Sequence, residues 1–237
     1  KMYKTYGRSC FKRLTLQSKI AISMTALLIF AGGMLYLIFE DNNPLTIGNY
    51  NLFDKIQVSL FQSVTTRTAG FATISQEKFT NSSAILSLLL MFIGGSPVGT
   101  AGGVKTATIA VLVITAFSLV RDKNEITIFN RAISQKAVKK AVAVVGTSFV
   151  IMFISTIMLS LVTDASVIDI LYETVSATAT VGLTRNLTPS LNMLGKLIII
   201  VTMYFGRIGP ITLAIALNTK REKQNIVKTP YEEISVG

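Results

Sequence analysis

The sequence predicts an all-α polytopic membrane protein built from two helix–pore loop–helix repeats, and three observations carry that prediction. Half of the 237 residues are hydrophobic, only 15% are charged and the mean hydropathy is +0.56, outside the range of soluble globular domains. Uncharged apolar runs of membrane-crossing length alternate with basic segments. Threonine-rich segments closed by glycine recur at a fixed spacing.

That spacing is 112 residues. Thr65-Thr66-Arg67-Thr68-Ala69-Gly70-Phe71 finds its partner in Thr178-Ala179-Thr180-Val181-Gly182-Leu183, with Gly182 lying 112 positions after Gly70. Gly94 and Gly206, each behind an apolar-aromatic run, keep the same offset, so the duplication has two landmarks in one register. A threonine–glycine run outside a regular element suits backbone carbonyls turned toward a common axis, because glycine tolerates dihedrals that a Cβ blocks. Rings of such carbonyls can replace an ion's hydration shell. Alone, either tripeptide would read as an ordinary helix end; two copies in register favour the duplication.

The chain in order supports this. Residues 1–19 carry Lys1, Lys4, Arg8, Lys12, Arg13 and Lys19 without an acidic residue, and residues 20–39 follow uncharged, one membrane-length helix. The chain starts at Lys1 rather than Met, and no cleavable signal pattern precedes the run, so an incomplete N-terminus is expected. Glu40-Asp41-Asn42-Asn43-Pro44 is a turn cluster. Residues 52–64 mix Asp54, Lys55, Gln57 and Gln62 with apolar residues; too short and polar to span, they predict a re-entrant half-helix, tolerated at membrane depth only when buried in protein or lining a water-filled cavity. Its C-terminal dipole end favours a cation.

Residues 84–120 are apolar but broken by Gly94-Gly95-Ser96-Pro97-Val98-Gly99-Thr100-Ala101-Gly102-Gly103-Val104-Lys105-Thr106, where glycines and a proline stop the helix. A basic loop, 121–140, leads to a second full span at 141–162. Residues 167–179 repeat the short half-helix, 180–183 the glycine segment, and 191–217 a last apolar helix interrupted by Lys196 and Arg207. The implied organisation is a basic head (1–19), a first unit (20–120), a connecting loop (121–140), a second unit (141–217) and a tail (218–237). Lys and Arg concentrate in the head, the loop and the tail, so all three are expected on the cytoplasmic side of a cell membrane.

Composition excludes other chemistries. With no His and one cysteine, Cys10, the chain has no histidine-based acid–base catalysis, no Cys/His metal site and no intrachain disulfide. It is therefore expected not to be an enzyme. The net charge of +11 is distributed as membrane topology requires, not as a nucleic-acid-binding face.

Four motifs together resemble the Ktr/Trk/HKT superfamily of potassium transporters, and within it the bacterial Ktr membrane subunits: Thr66-Arg67-Thr68-Ala69-Gly70-Phe71; Gly94-Gly95-Ser96-Pro97 through Ala101-Gly102-Gly103-Val104-Lys105-Thr106; Thr180-Val181-Gly182-Leu183; and Gly206-Arg207-Ile208-Gly209-Pro210. The resemblance runs from about residue 20 to the end. It implies four helix–pore loop–helix repeats in a pseudo-fourfold pore, of which this chain would be repeats three and four, the other two being supplied elsewhere. It implies potassium as the transported ion, with possible sodium dependence, coordinated by Thr68, Ala69, Gly70, Thr180, Val181 and Gly182. It further implies a homodimer on a cytosolic ring of regulatory subunits that bind ATP or ADP, this chain carrying no cofactor itself. Ala69 stands where its counterpart in the second segment, Val181, has valine, which matters little if the main chain coordinates the ion.

The resemblance also makes the glycine-rich segment an intramembrane gate, comprising Gly94, Gly95, Ser96, Pro97, Gly99, Thr100, Gly102, Gly103 and Lys105. Arg207 sits opposite it at the position corresponding to Gly95, where an intramembrane charge needs a cavity or a partner. Residues 99–106 nearly spell a P-loop, but Val104 replaces the last glycine and the flanks are apolar helices without a magnesium-holding acid. An ATP-hydrolysing membrane enzyme is thus the alternative of another class, a pore-less membrane anchor a third, and a sodium-selective member of the superfamily the nearest competitor. Arg67, one residue before the filter, is expected to turn away from the pore and pair with a carboxylate such as Glu173, or else to serve as a structural helix-end arginine.

Overall fold

The computed structural model describes residues 14–97, 101–122, 126–129 and 131–208. The expectations for residues 1–13, for Val98, Gly99 and Thr100, for 123–125 and 130 of the connecting loop, and for 209–237, which include the end of the last apolar helix, lie outside them. The described chain is mostly helical: α1 Leu16–Glu40, α2 Leu52–Thr65, α3 Asn81–Phe92, α4 Thr106–Val120, α5 Gln135–Ser160, α6 Val167–Thr178 and α7 Met193–Ile208. Single 3-10 turns, Gln76–Lys78 and Thr188–Ser190, precede α3 and α7.

α1 and α5 are long and apolar enough to cross a membrane. At 25 and 26 residues they reach about 37–39 Å, against a hydrocarbon core of roughly 30 Å. Each starts on a hydroxyl cap, Thr15 accepting from the Ser18 amide and Ser134 from the Ala137 amide. α5 begins six residues ahead of the apolar run at Ala141 because Gln135, Lys136, Lys139 and Lys140 are themselves good helix formers. The connecting loop is correspondingly shorter, and part of it forms an antiparallel hairpin pairing Thr127 with Ala132 and Ile128 with Arg131.

α2 and α6 are the short helices. α2 packs on α1 where α1 has Gly32 and Gly33: a Cβ built on Gly32 would lie 2.5 Å from Ser63 Oγ, and one on Gly33 2.7 Å from Leu60 Cδ2. Ser63 donates to the Leu28 carbonyl at 3.0 Å. Such close approach through small residues is how helices associate without a hydrophobic driving force. α6 is the buried centre of the second half, with Tyr172, Val175 and Ala179 packed against Met91 and Met152. On its other side Ile170 and Ala177 meet Leu159, Leu191 and Ile199.

The 112-residue offset extends into structure. The two 3-10 turns begin at Gln76 and Thr188, and α3 and α7 at Asn81 and Met193.

Candidate functional site

The first glycine segment leaves the end of α2 by turning its amides back. Ala69 N and Gly70 N both donate to the Thr65 carbonyl, at 3.2 and 3.1 Å. The Thr65 hydroxyl donates to the Phe71 carbonyl at 2.6 Å and accepts from the Phe71 amide at 2.8 Å, closing the loop. Thr68 and Gly70 adopt φ of +66° and +76°, with Ala69 between them outside the positive region.

The second segment leaves α6 in the same way. Thr180 N donates to the Ala177 carbonyl (3.1 Å), Val181 N to the Ser176 carbonyl (2.9 Å) and Gly182 N to the Ser176 hydroxyl (3.1 Å). Thr180 and Gly182 have φ of +54° and +93°, at positions 112 residues from Thr68 and Gly70. Left-handed backbone at a threonine costs about 1–2 kcal/mol, so its recurrence marks a conformation that the surroundings enforce.

The segments touch. A Cβ built on Gly70 would fall 2.2 Å from the Val181 carbonyl oxygen. The amides of Ala69, Gly70, Thr180, Val181 and Gly182 are spent on the half-helices, whereas none of the carbonyls of Thr68, Ala69, Gly70, Thr180, Val181 and Gly182 accepts a hydrogen bond from a described residue. Six main-chain oxygens are therefore uncommitted among the described residues, and a hard, weakly polarising cation is a chemically fitting ligand for them. Among the described residues no three His, Cys, Asp or Glu side chains gather to hold a metal.

The segment expected to gate lies directly against the second of these loops. Ile93 and Val104 form a parallel bridge, Val104 N donates to the Phe92 carbonyl and Thr106 N to the Gly95 carbonyl, each at 3.2 Å. Gly102 N donates to the Thr180 hydroxyl at 3.0 Å, and a Cβ on Gly102 would meet that hydroxyl at 2.2 Å. Gly94 packs on the Gly102 carbonyl, Gly103 on Ala179, and Gly95 approaches Ala101 and the Thr68 hydroxyl. Ser96, followed by Pro97, reaches the Thr25 hydroxyl of α1 at 3.2 Å. Lys105 closes back on the Ala101 carbonyl. Arg207 stands in the last turn of α7.

Arg67 does not pair with Glu173, the first of the two expectations for it. Its Nη1 donates to the Thr25 carbonyl at 3.2 Å, and its Nε is buried without a partner. Glu173 is engaged elsewhere, accepting from Thr184 at 2.7 Å and from Thr188. α1 packs on α2 and so supplies the nearer acceptor.

Other residues here escaped sequence reasoning. Arg185 bonds Asp169 at 2.7 Å and the carbonyls of Gln76 and Glu77 at 3.0 and 3.3 Å, tying the two halves together just beyond the second segment. Beneath it Gln62 Nε2 and the Tyr172 hydroxyl both donate to Gln76 Oε1, at 2.7 and 2.9 Å. Only polarity on a half-buried helix face could have flagged Gln62; nothing local flags Arg185. At the far end of α1, buried Glu40 accepts from Asn43, Thr46 and Thr80.

Comparison with known proteins fits this geometry. Residues 7–229 match the family described as TrkH, cation transport protein, which places the molecule among membrane cation-transport proteins. The chain belongs to the TrkH family. It is 39% identical over 227 residues to the Ktr system potassium uptake protein B of Bacillus subtilis, covering 96% of this chain and 51% of that protein. It is 38% identical over 231 residues to the potassium/sodium uptake protein NtpJ of Enterococcus hirae, covering 95% and 51%. The crystal structure of the potassium transporter TrkH from Vibrio parahaemolyticus superposes with a TM-score of 0.68 at 21% identity, over 92% of this chain and 48% of that one, a likeness of fold. The chain spans about half the length of the relatives it matches.

Proposed function

We propose that this chain is half of a potassium-uptake pore, in which residues 68–70 and 180–182 are two of the filter segments and the units 20–120 and 141–217 are two helix–pore loop–helix repeats. The carrying observation is the pair of touching segments with matched positive-φ positions and six carbonyls left without a donor among the described residues. Two further repeats of the same pore complete the ring. The bilayer surrounds the multi-pass assembly, with head, connecting loop and tail on the cytoplasmic side. Residues 94–106, with Arg207, form a gate beneath the filter, a reading supported by the Gly102–Thr180 hydrogen bond and by Lys105 folding back on the Ala101 carbonyl. A homodimer and a nucleotide-binding regulatory ring are the proposed partners, and the chain itself performs transport rather than catalysis. Sodium is the second reading, favoured by the potassium/sodium uptake protein among the relatives.

The test is flux of potassium, rubidium and sodium into liposomes holding the full-length protein, with Gly182→Ser and Arg207→Ala alongside. Gly182→Ser is expected to abolish potassium flux or its selectivity, and Arg207→Ala to raise flux in the resting state. Equal, selective flux from wild type and Gly182→Ser would reject the filter reading, and sodium outrunning potassium in wild type would establish the second one.

A further inference from the structure

Glu173 is 6% exposed, in the middle of α6, yet no Lys or Arg forms an ion pair with it among the described residues; the pairs there are Lys55–Asp41 and Arg185–Asp169. Burying an unpaired carboxylate is costly unless hydrogen bonds and a nearby positive charge compensate it. The hydrogen bonds come from Thr184, two residues beyond Gly182, and from Thr188. The carboxylate also lines a pocket of about 290 Å³ whose wall includes Thr180, Val181 and Gly182. At the corresponding position of the first half, 112 residues earlier, stands Phe61. Because Thr68–Gly70 takes up the same alternation of φ without any such carboxylate, the backbone shape alone does not require an acid there.

From these observations we infer that Glu173 is a positioning residue for ion selectivity, clamping the outer end of the second filter segment to α6 through Thr184 and Thr188 and placing a fixed negative charge behind the bound cation. The inference rests on the filter reading above. The cation on the carbonyls of 180–182 supplies the countercharge that the described side chains do not.

The experiment compares potassium and sodium flux in liposomes for the full-length protein carrying Glu173→Gln, Glu173→Asp, the double change Thr184→Val and Thr188→Val, and Gly182→Ser. Loss of one charge-assisted contact predicts a fall of about tenfold in the potassium-to-sodium flux ratio for Glu173→Gln, with partial recovery in Glu173→Asp. The double threonine variant keeps the charge and frees the clamp, and is expected to lose about threefold. A purely structural acid would lower the amount of assembled protein and leave the ratio of the surviving pores unchanged. A wild-type ratio in Glu173→Gln, while Gly182→Ser loses selectivity, overturns the inference and leaves the filter standing. Selective flux retained in Gly182→Ser overturns both. Should Glu173→Gln fail to assemble, a wild-type ratio in the threonine variant overturns the clamp.

Discussion

The two glycine segments share a backbone conformation and turn amides back onto the preceding half-helix, but differ in the side chains that hold them. Residues 68–70 are closed by one hydroxyl, that of Thr65, which binds both the amide and the carbonyl of Phe71. Residues 180–182 are held by the Ser176 hydroxyl on Gly182 and by Glu173 with its two threonines. Val181 and Leu183 are buried in the core around α6, whereas Phe71 is 71% exposed. Gly70 is pressed against the Val181 carbonyl, whereas a Cβ on Gly182 would meet nothing within 4 Å. The two segments keep the same alternation of φ while their side-chain supports differ. That pattern is expected if the carbonyls carry the function and each repeat faces a different neighbour.

The largest effect that would break the comparison is at Gly70. Gly70→Ala adds a left-handed alanine, costing about 1–2 kcal/mol, and drives its Cβ into a backbone oxygen that has little room to yield. Selective potassium flux is expected to disappear in that variant. Gly182→Ala, which carries only the backbone strain, is expected to retain more. Equal losses at both positions would mean that the contact between the segments is immaterial.

Next is the hydroxyl clasp. Thr65→Val removes two hydrogen bonds of about 1 kcal/mol each, those to the Phe71 carbonyl and from the Phe71 amide. A thermal-stability assay in detergent is expected to show a loss of about 2 kcal/mol, with reduced protection by potassium. Unchanged protection would show that the first segment is held from outside this chain.

The smallest expected effect is at Ala69. Ala69→Val alters only a side chain at an exposed position of the segment, so the potassium-to-sodium ratio is expected to stay within about twofold of wild type, within the few tenths of a kcal/mol usual for a surface change. A large change would indicate that side chains, not carbonyls, tune this segment.

Much of this arrangement was legible in the sequence for physical reasons. Membrane length fixes where α1 and α5 lie, glycine punctuation ends α3 at the start of the 94–106 segment, and the 112-residue register picks out Thr68, Gly70, Thr180 and Gly182. The supports were not legible, because they pair residues distant in sequence through directional bonds that leave no periodicity. Tyr172 meets Gln76 across 96 positions, and Arg185 meets the Gln76 carbonyl across 109. Arg67 shows the same limit: charge complementarity pointed to Glu173, but helix packing set a carbonyl of α1 beside it instead. The hairpin at 127–132 was hidden in a segment whose charge alone marked it as a loop.

The central claim is that main-chain oxygens of residues 68–70 and 180–182 face one cation. The most direct measurement is a crystal structure of the full-length protein soaked in rubidium, read by anomalous scattering. The account predicts density between the two segments, within coordination distance of carbonyls from both. Density bound only to side chains, or none between the segments at rubidium concentrations that support flux, would contradict it.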